Sequence, residues 1–123
     1  MSRRRILLVE DEALISLDIE ATLADLGHDV AVAPTVAEAL AMVEAGGLHL
    51  AILNYRLKNG DTTAVAARLR DAGVPFIVCS GSFEATDLNA AFAGVRVLSK
   101  PFSTDGLIEA VAGATAISEE TIA

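Results

Sequence analysis

Positive charge is scarce: nine Lys and Arg stand against seventeen Asp and Glu in 123 residues, a formal charge of −8. Most of such a surface repels a phosphate backbone, which argues against DNA or RNA as a direct partner. Cysteine is almost absent. The single Cys79 lies in an apolar run and can form no internal disulfide, as fits a reducing, cytoplasmic setting. Long hydrophobic runs are missing too. After Arg3, Arg4 and Arg5 only Ile6 to Val9 intervene before acids begin, so neither a signal-peptide core nor a membrane span is expected. No internal repeat or low-complexity linker interrupts the chain.

What is present suffices for one domain, since 53% of the residues are hydrophobic and the length supports a single sizeable core. Short apolar runs recur at Ile6 to Val9, Val30 to Ala33, Leu50 to Leu53, Phe76 to Cys79 and Val95 to Leu98. Each is near-continuous rather than alternating, the pattern of parallel strands buried on both faces. Between them lie stretches of helical period: Ile15, Ile19, Thr22, Leu23 and Leu26 ending at Gly27; Val36, Leu40 and Val43 before Gly46 and Gly47; Val65 and Leu69 closing at Gly73. The fourth, around Leu88 and Phe92, is the weakest. The fifth starts at Ser103 as N-cap and runs through Leu107, Ile108 and Val111. Five strands alternating with five helices predict an α/β domain with a parallel sheet and right-handed crossovers over residues 1–114, leaving 115–123 as a surface or frayed tail.

In such sheets the ligand site lies beyond the carboxyl ends of the strands. Glu10, Asp11 and Glu12 follow the first strand, Asn54 the third, Ser80 and Gly81 the fourth, and Ser99, Lys100 and Pro101 the fifth. Taken singly these are ordinary: acids favour the start of a helix, a Ser commonly sits in a turn, and a Lys before Pro is commonly an exposed loop residue. Gathered on one rim they become a set of hard oxygen ligands with one ammonium, suited to Mg²⁺ and a phosphoryl group. His28 and His49 precede strands and belong to the opposite rim.

Through "ILLVEDE", "LAILNYRL", "FIVCSG" and "VLSKPF" the chain resembles the response-regulator receiver domains of bacterial two-component signalling, over residues 3 to about 114. The resemblance implies a doubly wound, flavodoxin-like sheet of order 2-1-3-4-5. It implies Glu10 and Asp11 as the acidic pair for Mg²⁺, the backbone carbonyl of Arg56 as a further metal ligand, Ser80 as the switch hydroxyl and Lys100 as the partner of the phosphoryl group. The Lys100–Pro101 peptide is often cis in that family. Three positions depart from it. Asn54 stands where receivers carry the phosphoacceptor Asp, Val97 where an aromatic switch residue is usual, and Lys58 where Pro is common. Val97 and "FIVCSG" are similar to a subgroup of small stand-alone alphaproteobacterial receivers whose fourth strand ends in a Phe-Ala-Thr-Gly-like motif, and there the resemblance to aromatic switching stops.

An acyl phosphate needs a carboxylate nucleophile, so the chain as written takes no phosphoryl group at position 54. The Asn carbonyl remains an oxygen ligand, with one negative charge fewer around an ion, and a weakened Mg²⁺ site at Glu10, Asp11, Asn54 and Arg56 is expected. A native pseudo-receiver and an Asp-to-Asn substitution both fit these residues; the retained Glu10, Asp11 and Lys100 favour the second. Three classes compete. The first is a non-enzymatic receiver acting by docking, with a histidine kinase or phosphotransfer protein as partner and a target or second copy on the face from Glu84 to Ala114. The second is a flavodoxin-like cofactor carrier, disfavoured because acids after the first strand repel a flavin phosphate. The third is a Mg²⁺-dependent phosphatase using Asp11, disfavoured because Ala13 stands where an Asp-x-Asp pattern needs its second acid.

Overall fold

The computed structural model describes residues 4–58, 60–81 and 90–122, with side chains throughout these except at 90 and 115–122. The chain runs β1 (Arg5–Val9), α1 (Ala13–Asp25), β2 (Asp29–Ala33), α2 (Val36–Ala45), β3 (Leu50–Asn54), β4 (Arg56–Leu57), β5 (Gly60–Asp61), α3 (Thr63–Ala72), β6 (Phe76–Ser80), β7 (Val97–Ser99) and α4 (Thr104–Ile122), with a 3₁₀ turn at Ala90–Phe92. Five strands form one parallel sheet in the order β2-β1-β3-β6-β7, while β4 and β5 pair as a separate antiparallel ribbon. With the ribbon set aside, this is the expected 2-1-3-4-5 order.

The continuous apolar runs follow from burial on both faces. Leu7, Val9, Ala51, Leu53 and Val78 point to the layer of α2 and α3, while Ile6, Leu8, Leu50, Ile52 and Ile77 point to the layer of α1 and α4. Alternate residues of a strand face opposite sides, so a strand covered twice needs an apolar residue at every position. The edge strand β2, covered less, is only partly buried at Val30, Ala31 and Val32.

Helix ends follow the capping residues. Thr35 accepts the Glu38 N–H at 3.1 Å, and Ser103 Oγ accepts the Gly106 N–H at 2.9 Å. At Gly27 (φ 91°) and Gly73 (φ 71°) the backbone turns left-handed, which lets Leu23 and Leu69 carbonyls accept the N–H groups of His28 and Val74. One expected boundary differs from what is found. The last strand begins at Val97 rather than Val95, because the Val95 N–H is spent on the Phe92 carbonyl at 3.1 Å, closing a turn. The last helix runs from Thr104 to Ile122, into the stretch expected as a surface or frayed tail. Four α-helices occur among the described residues; the fourth of the five expected, over Glu84 to Phe92, falls mostly outside them.

Candidate functional site

Strand β1 delivers Glu10 directly into the rim, its N–H continuing the ladder to the Ala33 carbonyl at 3.2 Å. Glu10 is buried, 3% exposed, and its Oε1 accepts the Glu12 N–H at 3.1 Å. Burial pushes its carboxyl pKa up, against the Glu12 N–H and the Lys100 charge, which favour the ionised form. Asp11 lies further out and accepts the Lys58 N–H on Oδ2 at 2.7 Å, tying the turn after β1 to the ribbon.

Asn54 closes β3 and is buried, with Cys79 of β6 opposite it in the sheet. Its Oδ1 accepts from Lys100 Nζ at 2.7 Å, and its Nδ2 donates to the Arg56 carbonyl at 2.8 Å and to Glu10 Oε1 at 3.3 Å. Lys100 Nζ also lies 3.7 Å from Glu10 Oε2. The Lys100–Pro101 peptide is cis, as the resemblance implied, and the Lys100 N–H donates to the Ser80 carbonyl at 2.9 Å. Ser80 is itself buried, and its hydroxyl donates to the Gly81 carbonyl at 3.0 Å.

Glu10, Asn54, Lys100 and the Arg56 carbonyl therefore meet in one hydrogen-bonded cluster, with Asp11 attached through the ribbon and Ser80 through the Lys100 backbone. The histidines are elsewhere. His28 Nδ1 accepts the Arg4 N–H at 3.3 Å and His49 Nδ1 the Arg5 N–H at 2.9 Å, at the rim where strands begin. Sequence reasoning missed Thr62. Fully buried, it donates its hydroxyl to the carbonyls of Asn54 (3.0 Å) and Tyr55 (3.3 Å), so it fixes the backbone on which Asn54 stands. A Thr just before a helical period signals an N-cap; here the hydroxyl turns to the end of β3 and makes no cap bond.

The donor chemistry of the rim, two carboxylates and a main-chain carbonyl, suits a hard cation. Its arrangement does not, because Asn54 presents N–H protons rather than its oxygen to Glu10 and Arg56. Among the described residues, no group of three His, Cys, Asp or Glu side chains is placed to hold a metal.

A family model for the response regulator receiver domain matches residues 6–112. The transcriptional regulatory protein PdtaR of Mycobacterium tuberculosis is 33% identical over 112 residues, 88% of this chain and 55% of that protein. The chain thus spans about half the length of the curated relatives it matches. Among solved structures, SdrG from Sphingomonas melonis Fr1 is 38% identical with a TM-score of 0.79, over 93% of this chain and 98% of that one. The response regulator PhyR from Brucella abortus is 27% identical with a TM-score of 0.82, over 98% of this chain and 51% of that one.

Proposed function

The chain belongs to the response-regulator receiver domains of two-component signalling, and we propose that it works by docking to other proteins with its acceptor position held as an amide. Receivers are signalling modules rather than enzymes, and they interact with histidine kinases or phosphotransfer proteins. One observation carries the finer reading. Lys100, the partner of the phosphoryl group in the family's pattern, reaches to 2.7 Å from Asn54 Oδ1, so the residue at the acceptor position is Asn54 and it has no carboxylate to offer. Mg²⁺, which receivers typically bind, binds this rim weakly, through Glu10, Asp11 and the Arg56 carbonyl, since it must compete with the amide. Neither a nucleic acid nor a lipid surface is the partner of a chain with charge −8; among the described residues no helix is long and apolar enough to cross a membrane.

The output is carried by surface. The face from Glu84 to Ala114 serves a target or a second copy, and its described part carries the exposed pair Arg96 and Glu109, 3.4 Å apart. A second surface lies on α1, which starts two residues after Asp11 and leaves Leu14 and Leu17 exposed beside the rim. Incubation with acetyl phosphate tests the acceptor assignment. The chain should gain no phosphoryl group by intact mass, whereas Asn54→Asp should gain one that hydroxylamine removes. Phosphoryl uptake by the unaltered chain, or none by Asn54→Asp, overturns the reading.

A further inference from the structure

We infer that the Asn54 amide is a built-in substitute for the rim cation, holding the pocket assembled with neither a metal ion nor a phosphoryl group. This deepens the reading above and rests on its assignment of Asn54 to the acceptor position.

The orientation of the amide is dictated by its partners. An ammonium only donates, so the atom 2.7 Å from Lys100 Nζ is the carbonyl oxygen; a main-chain carbonyl only accepts, so the atom 2.8 Å from the Arg56 oxygen is the nitrogen. Both Nδ2 protons are thereby committed, one to Arg56 and one to Glu10 Oε1. Asp11 is committed as well, through Oδ2 to the Lys58 N–H at 2.7 Å. Each oxygen group that would greet a cation on this rim, Glu10, Asp11 and the Arg56 carbonyl, already faces an N–H from the chain.

Exchanging Nδ2 for a carboxylate oxygen in the same place converts both bonds into oxygen-oxygen approaches, at 2.8 Å to the Arg56 carbonyl and 3.3 Å to a buried carboxylate. Neither has a proton between its atoms, and the burial of Asn54 and Glu10 limits the water that would relieve the second. A positive ion between the three oxygens is what such an arrangement needs. The Asn form needs none, because the amide supplies the protons itself. Through one side chain it joins the end of β1, the ribbon and the loop after β7, so the rim is set in one state whatever the Mg²⁺ concentration.

The test compares the chain, Asn54→Asp and Asn54→Ala in EDTA and in MgCl₂, with NaCl holding ionic strength equal. Melting temperature and backbone amide exchange at Leu57 and Lys58 are read together. Between the two conditions the chain should change its melting temperature and exchange rate far less than Asn54→Asp does, since the ion it binds weakly adds little to a rim already held. Asn54→Asp should exchange faster by about tenfold in EDTA and recover in MgCl₂, as expected of a local opening that an ion closes. Asn54→Ala, lacking both ion ligand and amide, should exchange faster in EDTA than the chain does. The inference is overturned if Mg²⁺ raises the melting temperature of the unaltered chain as much as that of Asn54→Asp, or if Asn54→Ala protects Lys58 as well as Asn54 does. Should Asn54→Ala not fold, the first comparison still decides. Phosphoryl uptake is not read in this experiment, so the two failures are told apart: uptake by the unaltered chain removes the acceptor assignment on which the inference rests, whereas equal Mg²⁺ dependence of the chain and Asn54→Asp removes the inference alone.

Discussion

At the residue scale, the two histidines show how a single acceptor nitrogen extends a sheet beyond its ladder. The Asp29 N–H donates to the Arg4 carbonyl at 2.8 Å and the His49 N–H to the Arg5 carbonyl at 2.9 Å, while the imidazoles return the favour to the Arg4 and Arg5 N–H groups. A nitrogen that accepts cannot carry a proton. For His28, burial first and the Arg4 charge second hold the pKa below 6.5. A lowered histidine pKa means that the unfolded chain binds more protons, so the contribution to stability is present above pH 6.5 and lost as pH falls below it. His28→Gln keeps an acceptor without the titration. The stability difference between the chain and His28→Gln, from urea unfolding, should therefore be larger at about pH 7.5 than at about pH 5.5, in the chain's favour; an equal difference would uncouple His28 from folding. The same scale explains what was legible in the site. Asn54 and Ser80 end strands, Glu10, Asp11 and Lys100 follow them, and topology alone gathers the five. Lys58 contributes only an N–H, which proline lacks; the departure from the Pro common at this position marked the residue, but not its bond to Asp11. Thr62 did carry a signal, but for a different hydrogen bond from the one it makes. The direction in which the Asn54 amide faces is decided by Lys100 and Arg56 together, 46 and 2 residues away, and cannot be read from composition or period.

At the element scale, the five sheet strands were legible because burial on both faces writes an apolar run for each. The ribbon of β4 and β5 was not, since two residues a side are too few to show a period. The start of β7 was displaced by a turn bond that apolar Val95 gives no hint of. Helix α1 shows the converse, apolar residues that the core does not claim. Ile19 and Leu23 are buried under the sheet, whereas Leu14 is 83% and Leu17 60% exposed on the same helix. An apolar pair left in water one turn apart, beside the rim, is suited to meeting the apolar face of a partner. The double change Leu14→Ser with Leu17→Ser should alter unfolding free energy by less than about 1 kcal/mol, because neither side chain is buried. Leu23→Ala should cost about 2–5 kcal/mol, the range for a large-to-small change in a packed core. Binding to a histidine kinase or phosphotransfer protein that engages the unaltered chain, measured by surface plasmon resonance, should weaken in the double variant. Unchanged affinity would assign the interface instead to the face bearing Arg96 and Glu109.

At the scale of the whole molecule, the imbalance of seventeen acids against nine bases is a stability term in itself. A net charge of −8 on a domain of this size repels itself over distances longer than any ion pair. Two of the described ion pairs that oppose it are modest: Arg68 with Glu44 at 3.3 Å and Arg96 with Glu109 at 3.4 Å, unlike the pair of Lys100 with buried Glu10, sit in solvent, where such pairs contribute about 0–1 kcal/mol. Salt weakens both kinds of interaction, and their geometry decides which loss is greater. Contact pairs survive screening better than repulsion spread across the surface, because the screening length falls from about 30 Å at 0.01 M to about 8 Å at 0.15 M, still longer than a contact but shorter than the domain. Raising NaCl through that range should therefore raise the melting temperature. Chloride is the anion to use, since sulfate or phosphate would strengthen apolar burial in any protein and imitate the effect. A control variant fixes the cause: Glu20→Lys, on α1 and away from the rim cluster, brings the net charge to −6 and should reduce the salt-dependent rise. A melting temperature that is flat or falls with NaCl would mean that local pairs, not the overall charge, dominate the electrostatics of this fold. Partners docking to it would then gain less from a complementary basic surface than the charge of −8 leads one to expect.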